Sequence, residues 1–220
     1  MNIHADLTKR AVVNSNELAW VDSPLPGVQR RMLERDGDEV ARATTIVRYA
    51  PNSYFEAHTH DAGEEFIVLY GVFSDEMGDF HAGMYVRNPI GSRHKPYTKD
   101  GCTILVKLRQ FDAEDQDYVR IDTNKAEWLA GSVEGLQVMP LHEFATEHVA
   151  LVKWQPGTRF NRHIHPGGEE IYVLSGTFAD EHGTYPVGTW LRNPPYSEHT
   201  PFSDEGCTIY VKTGHLGLEK

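Results

Sequence analysis

Fifty consecutive residues of this chain are written twice. Residues 58–107 align with 163–212 at a constant offset of 105 without a gap, and 25 of the 50 positions are identical. The shared string runs His-x-His, Gly-Glu-Glu, Val-Leu-x-Gly-x-Phe, Asp-Glu-x-Gly, Arg-Asn-Pro, Ser-x-His-x-Pro and Gly-Cys-Thr-Ile-x-Val-Lys. Upstream, after a three-residue gap, Trp20 matches Trp128, Gly27 matches Gly135, Gln29 matches Gln137 and Leu33 matches Leu141. The repeat unit is therefore 20–111 and again 128–215, with the acidic stretch 112–117 as a linker. A unit of about 100 residues exceeds any solenoid repeat, so each copy is expected to be a domain with its own core. Whatever one copy folds into, the other must fold into as well.

Within each copy the pattern is short β-runs cut by turn residues. Residues 65–70 end at Gly71, residues 84–87 end at Asn88-Pro89, and residues 103–108 follow Asp100-Gly101; residues 171–174, 189–192 and 208–213 repeat this. β-Branched and aromatic residues bounded by Gly, Pro and Asp at such spacings predict an all-β domain, sandwich or barrel. No amphipathic helix of three turns is discernible, and little helix is expected.

Composition excludes several functions. A net charge of −11, from 21 basic and 32 acidic residues, works against a nucleic-acid partner, since phosphate binding needs Lys and Arg. Apolar runs such as 66–70 and 171–174 stop far short of the ~20 residues that span a bilayer, and residues 1–20 read as neither signal peptide nor anchor. Two cysteines build no disulfide scaffold and no all-cysteine zinc site. The expectation is a soluble, cytoplasmic protein from a reducing compartment. The 12 histidines are the compositional oddity.

Six of them fall into a pattern. His58, His60, Glu64 and His94 stand at spacings of 2, 4 and 30, and His163, His165, Glu169 and His199 repeat those spacings. On a strand, residues i and i+2 point to one face, so paired histidines can aim at one point. A Gly-containing kink, at Gly63 or at Gly167-Gly168, can bring the Glu beside them. The last His must come from a distant strand folded across, as a barrel supplies. Three imidazoles and a carboxylate are borderline ligands that suit zinc, iron, manganese, nickel or copper. Duplication alone would reproduce the second set, but about half of the aligned positions diverged while all four candidate ligands stayed.

This pattern resembles the cupin superfamily, whose first motif is Gly-x5-His-x-His-x3,4-Glu-x6-Gly and whose second is Gly-x5-Pro-x-Gly-x2-His. Gly157, His163, His165, Glu169 and Gly176 fit the first motif; copy one fits from His58 to Gly71, with Asn52 in the place of the leading Gly. Asn is the next-best residue for a left-handed turn. Gly83, Pro89, Gly91 and His94 meet the second motif in full, whereas Tyr196 replaces the inner Gly beside Gly188, Pro194 and His199, so that turn is expected to differ. The Gly-Glu-Glu, Asp-Glu-x-Gly, Arg-Asn-Pro and Gly-Cys-Thr strings are similar to the ChrR-type cupin, the zinc-binding sensor half of an anti-sigma factor responding to singlet oxygen.

The resemblance covers about four-fifths of the chain, twice over, and implies a tandem duplicated cupin of two antiparallel double-stranded β-helix (jelly-roll) barrels. It further implies one divalent transition-metal ion per barrel, two per chain, with zinc first among the metals and iron, manganese and nickel as alternatives. The implied function is a metal-binding regulatory or sensory bicupin. The alternative is a metal-dependent dioxygenase or related small-molecule enzyme, since two His and a carboxylate resemble the facial triad of non-haem iron oxygenases. A small-molecule ligand or substrate is the expected partner, with room for a homo-oligomer. ChrR-like anti-sigma factors grip the sigma factor through an N-terminal His-x3-Cys-x2-Cys domain; residues 1–19 contain no Cys, which weighs against sigma-factor binding.

Neighbouring residues carry plainer expectations. Glu65 and Glu170 should point away from the ligand Glu toward the surface, and Arg87 and Arg192 should pair with a repeated acid such as Glu65. Asp75 and Asp180 should build turns, and Cys102 and Cys207 should be small packing residues.

Overall fold

The strand Glu64–Asp75 shows how each copy is built. Phe66 and Val68 point to one face, where they pack with Val28, Val47, Phe73, Phe80, Ile104 and Val106 into the core of the first barrel. Glu65 and Ile67, on the opposite face, are buried as well. At Gly71 the strand leaves one sheet for another. The register against Cys102–Leu108 slips between Thr103 and Ile104, and the second half of the strand pairs with Gly78–His81 instead. Gly71 has φ +74°, and a Cβ there would stand 2.1 Å from the Gly101 carbonyl oxygen, so only glycine fits. Gly176 repeats the device, with φ +70° and a Cβ 2.0 Å from the Gly206 carbonyl.

This computed structural model describes residues 1–217 and divides into two units. The first is Met1–Ala5 with Leu18–Ala126. Its main sheet runs, in spatial order, Asn2–Ile3, Val28–Gly37, Ala41–Tyr49, Cys102–Leu108, Glu64–Asp75, Met84–Asn88 and Val119–Asp122. The second is Asp6–Glu17 with the chain from Glu127 onward. Its main sheet runs Leu129–Ala130, Leu136–Phe144, Glu147–Trp154, Cys207–Thr213, Glu169–Asp180, Thr189–Asn193 and Ala11–Asn14. Trp154, Ile171, Val173, Phe178, Leu191 and Ile209 fill the second barrel. The fold is all-β and antiparallel, a tandem cupin. Among the described residues the one helical segment is a 3-10 turn at Ser15–Glu17.

The edge strands reveal an exchange that the repeat arithmetic did not expose. Ala11–Asn14, ahead of the first copy, closes the second barrel beside Thr189–Asn193, whereas Val119–Asp122, ahead of the second copy, closes the first beside Met84–Asn88. The two segments correspond at an offset of 108, and the turns after them make the same bonds. Ser15 Oγ donates to the Gly188 carbonyl at 2.7 Å and Thr123 Oγ1 to that of Gly83 at 2.6 Å. Asn16 and Asn124 donate to the carbonyls of Val187 and Ala82 at 3.1 and 2.9 Å.

Two expectations need correction. Tyr196 does not change its turn: it takes φ +63° where Gly91 takes +83°, and its amide donates to the His165 carbonyl at 2.8 Å just as Gly91 donates to that of His60 at 2.8 Å. The tyrosine accepts a left-handed backbone because the turn is fixed by strands on both sides. Nor is Glu65 on the surface; it is 1% exposed and bonded to the Arg87 guanidinium at 2.5 Å, while Glu170 is equally buried. Arg87 also binds Asp115 at 2.5 Å, so one residue of the acidic stretch is a buried counter-ion. Asn52, at φ +59°, takes the left-handed turn expected of it.

Candidate metal centres

Each histidine cluster is assembled from a short antiparallel pair. His58 lies directly opposite His94, and His163 directly opposite His199. In the first barrel His60 and His94 are buried and His58 faces solvent. Their ring centroids stand 4.6–5.1 Å apart. The Nε2 atoms of His58 and His94 are 3.3 Å apart, and Glu64 Oε2 lies 3.4 Å from His60 Nε2 and 3.8 Å from His94 Nε2. In the second barrel the Nε2 atoms of His165 and His199 are 3.1 Å apart, and Glu169 oxygens lie 3.5 Å from each. All eight residues singled out by the sequence are thus brought into two groups of four.

The outer faces of the rings decide what the inner faces offer. His58 Nδ1 lies 3.2 Å from the Glu56 carbonyl and His163 Nδ1 lies 2.9 Å from that of Asn161. A carbonyl only accepts, so Nδ1 donates and each Nε2 turns a lone pair inward. His94 Nδ1 donates to Asp75 Oδ2 at 3.1 Å, and His199 Nδ1 to Asp180 Oδ2 at 3.5 Å. Asp75 and Asp180 build the turns the sequence predicts, accepting from the amides of Met77 and His182, and they orient a histidine besides. Asn88 donates to Glu64 at 2.9 Å and Asn193 to Glu169 at 3.0 Å. Ser92 Oγ holds His60 Nδ1 at 2.9 Å. The Asp, Asn and Ser positions all fall within strings shared by the two copies, which was the available signal.

The donor set fits a metal ion. His60 Nε2 is buried with no hydrogen-bond partner, and Nε2 atoms of neighbouring imidazoles face each other across about 3 Å. Ligands at roughly 2.1 Å from a common ion stand roughly 3–3.4 Å apart, which is the observed spacing. Both histidine triads can hold an ion.

The ChrR cupin-like domain family matches this chain twice, over residues 8–112 and 116–217. The chain belongs to that family. No curated protein matches it significantly. Among solved structures this ChrR-like cupin is similar to a Nostoc punctiforme protein carrying a provisional dioxygenase assignment, at 17% identity and a TM-score of 0.79, covering 96% of this chain and 85% of that one. It is similar to the E. coli protein YlbA at 16% identity and a TM-score of 0.74, covering 100% and 96%. It is also similar to a mutant of the Bacillus subtilis oxalate decarboxylase OxdC, at 15% identity and a TM-score of 0.65, covering 93% and 76%. At these identities the likeness concerns the fold.

Electrostatics divide the histidines of this ChrR-like cupin. Burial lowers the pKa of His60, His163 and His165, favouring neutral imidazoles. Burial opposes charge on His94 and His199 too, but the hydrogen-bonded Asp75 and Asp180, with Glu64 and Glu169, carry both above the ordinary value. Asp180 is held down at about 2: burial would raise it, but bonds from His199, Tyr185 and the His182 amide prevail. The thiols of Cys102 and Cys207 are pushed up to about 11 by burial, in keeping with packing residues.

The two barrels differ in the space beside the histidines. In the first, a cavity of about 710 Å³ reaches His58, His60 and Glu64 between Leu25, Val40 and Phe55. In the second, about 170 Å³ remains beside His163, Glu169 and His199, walled by Trp154, Phe160 and Phe178. Phe160 packs edge-on against His163 with centroids 4.9 Å apart.

Proposed function

We propose that this chain is a metal-binding bicupin with one divalent transition-metal ion per barrel, held by His58, His60, Glu64 and His94 in the first and by His163, His165, Glu169 and His199 in the second. The observation that carries this is the orientation of the rings: acceptor-only groups fix Nδ1–H on His58, His94, His163 and His199, so that Nε2 lone pairs converge beside a carboxylate. Zinc is the first candidate, with iron, manganese and nickel as alternatives for a set of N and O donors. The ion would supply Lewis acidity to a bound oxygen atom. The chain's own residues orient the imidazoles through Asp75 and Asp180, hold the carboxylates through Asn88 and Asn193, and in the second barrel narrow the site with Phe160 and Phe178.

A small organic molecule is the partner we assign, and the first barrel is where it would enter. A cavity of about 710 Å³ falls within the range that accommodates small ligands, whereas about 170 Å³ does not. Membership of the ChrR cupin-like family supports a sensory or regulatory role. The open cavity ending on the solvent-facing His58 favours a second reading, a metal-dependent dioxygenase or related small-molecule enzyme. Two free, buried cysteines suit the cytoplasm. No helix among the described residues is long and apolar enough to cross a membrane.

Elemental analysis of protein purified without a histidine tag tests the proposal. Two equivalents per chain are expected, zinc pointing to the sensor and iron or manganese to the enzyme; a metal-free protein that also fails to take up added Zn2+ overturns it.

A further inference from the structure

One arginine stands behind each candidate centre, and in both barrels it comes from the exchanged leading segment. In the second barrel Arg10 Nε donates to Asn193 Oδ1 at 2.9 Å, and its Nη2 reaches Asp180 Oδ2 at 3.5 Å and bonds the Tyr185 hydroxyl. Asn193 is the residue that holds Glu169, and Asp180 is the residue that orients His199. In the first barrel Arg120 Nη2 donates to Asn88 Oδ1 at 2.5 Å, and Arg120 interacts electrostatically with Asp75 and Glu64. Asn88 holds Glu64 and Asp75 orients His94.

The two guanidiniums occupy corresponding places although the residues do not correspond. Arg10 lies over the Tyr185 ring at 5.5 Å, and Arg120 over the Phe80 ring at 5.4 Å; Phe80 and Tyr185 are equivalent at the repeat offset of 105. Arg120 pairs with Val86, and the residue in that register in the second barrel is Val12, which pairs with Leu191. Arg10 therefore reaches the same spot from two residues earlier. Two sequence routes to one contact indicate that the contact itself matters. An arginine amide clamp of this kind removes rotational freedom from Asn88 or Asn193, and so fixes the carboxylate oxygens before an ion arrives.

We propose that Arg10 is the positioning residue of the second centre and Arg120 that of the first, so that each centre depends on the segment preceding the other repeat. The inference rests on the metal reading above for its function, though not for its geometry. Arg10 precedes His58 by 48 residues and His163 by 153, yet the nearer cluster in sequence is the one it leaves alone.

The test isolates one centre at a time by Co2+ titration, read by visible absorption, in His58→Ala/His60→Ala and His163→Ala/His165→Ala backgrounds. Arg10→Ala should weaken Co2+ binding at the second centre by roughly 10- to 100-fold and change its spectrum, with the first centre unmoved; Arg120→Ala should do the reverse. Val12→Arg added to Arg10→Ala should restore affinity and spectrum, an outcome that mere loss of packing would not give. Loss at the first centre on changing Arg10, equal loss at both, or failure of Val12→Arg to restore binding in a folded protein would overturn the proposal. Should the unsubstituted chain bind no metal, the metal reading fails alone. Ring-proton NMR of the metal-free protein then decides the geometry: Arg10→Ala must shift His199 and spare His94, and the opposite pattern, or no shift, refutes it.

Discussion

His58 and His94 stand directly opposite each other in an antiparallel pair, with Nε2 atoms 3.3 Å apart. Two neutral imidazoles presenting lone pairs at this distance repel unless a proton or a cation lies between them. On the metal reading, a shared cation relieves this repulsion. His94→Ala or Glu64→Ala should remove one metal equivalent of two, leaving the other in place, and His199→Ala or Glu169→Ala should remove the other. Elemental analysis of each variant checks this. Loss of both equivalents from one substitution would mean that the centres are not separate.

Asp75 is the cleanest probe of what lies behind the ligands. Asp75→Asn keeps the volume and removes the charge that receives His94 Nδ1–H. Metal affinity at the first centre should fall roughly 10- to 100-fold, as for other groups that orient a ligating imidazole. Competition against a chromogenic chelator measures it. Unchanged affinity would reduce Asp75 to its turn-building bond with the Met77 amide.

How much of this was legible in the sequence follows from what repeats. The all-β fold, its duplication and the eight clustered residues rest on local signals: strand-length apolar runs, glycine breaks and fixed spacings. The orienting residues Asp75, Asn88 and Ser92 also lie in the shared strings, but their role depends on which strands meet, which spacing alone does not give. Arg10 and Arg120 left no signal, because they serve the same place from positions that do not align. The difference between the cavities was hidden as well, since Tyr49 stands on the first wall where Trp154 stands on the second, and residues distant in sequence such as Leu25 and Val40 line only the first.

Tyr196 departs from the sequence expectation for a physical reason. A glycine-to-tyrosine change reads as a different turn, yet flanking strands hold the backbone at φ +63°. Tyr196→Gly should then stabilise the protein by about 0.5–1 kcal/mol, the relief of left-handed strain less the extra freedom of glycine in the unfolded chain. Urea unfolding measures this, and a loss of stability would show that the 59% exposed ring contributes packing that outweighs the strain.

Gly71→Ala should act in the other direction. The methyl group would enter the Gly101 carbonyl at 2.1 Å on a backbone already at φ +74°. A cost of about 2–5 kcal/mol is expected from strain and overpacking together. Gly176→Ala should cost as much in the second barrel, and Gly157→Ala, with φ +80° but open space around it, should cost less. Equal penalties at all three sites would mean that backbone strain alone, not the close approach, sets the requirement.

Acid should separate metal-loaded from metal-free protein. His60, His163 and His165 have depressed values in the folded chain. Their contribution is present above about pH 6.5, the ordinary histidine value, and is lost as pH falls through the folded values. A ligating imidazole must be neutral, so protons and metal compete for it and release should steepen below about pH 6. His94 and His199 work in the opposite sense when no metal is bound. Their values are raised, so the bonds to Asp75 and Asp180 stabilise the metal-free chain fully below about pH 6.5 and less as pH rises through the folded values. The gap in melting temperature between loaded and chelator-treated protein should accordingly be widest near pH 8 and close toward pH 5. Scanning calorimetry of both forms across that range measures it. A gap independent of pH, or metal retained to about pH 3, would show that these imidazoles do not bind the ion.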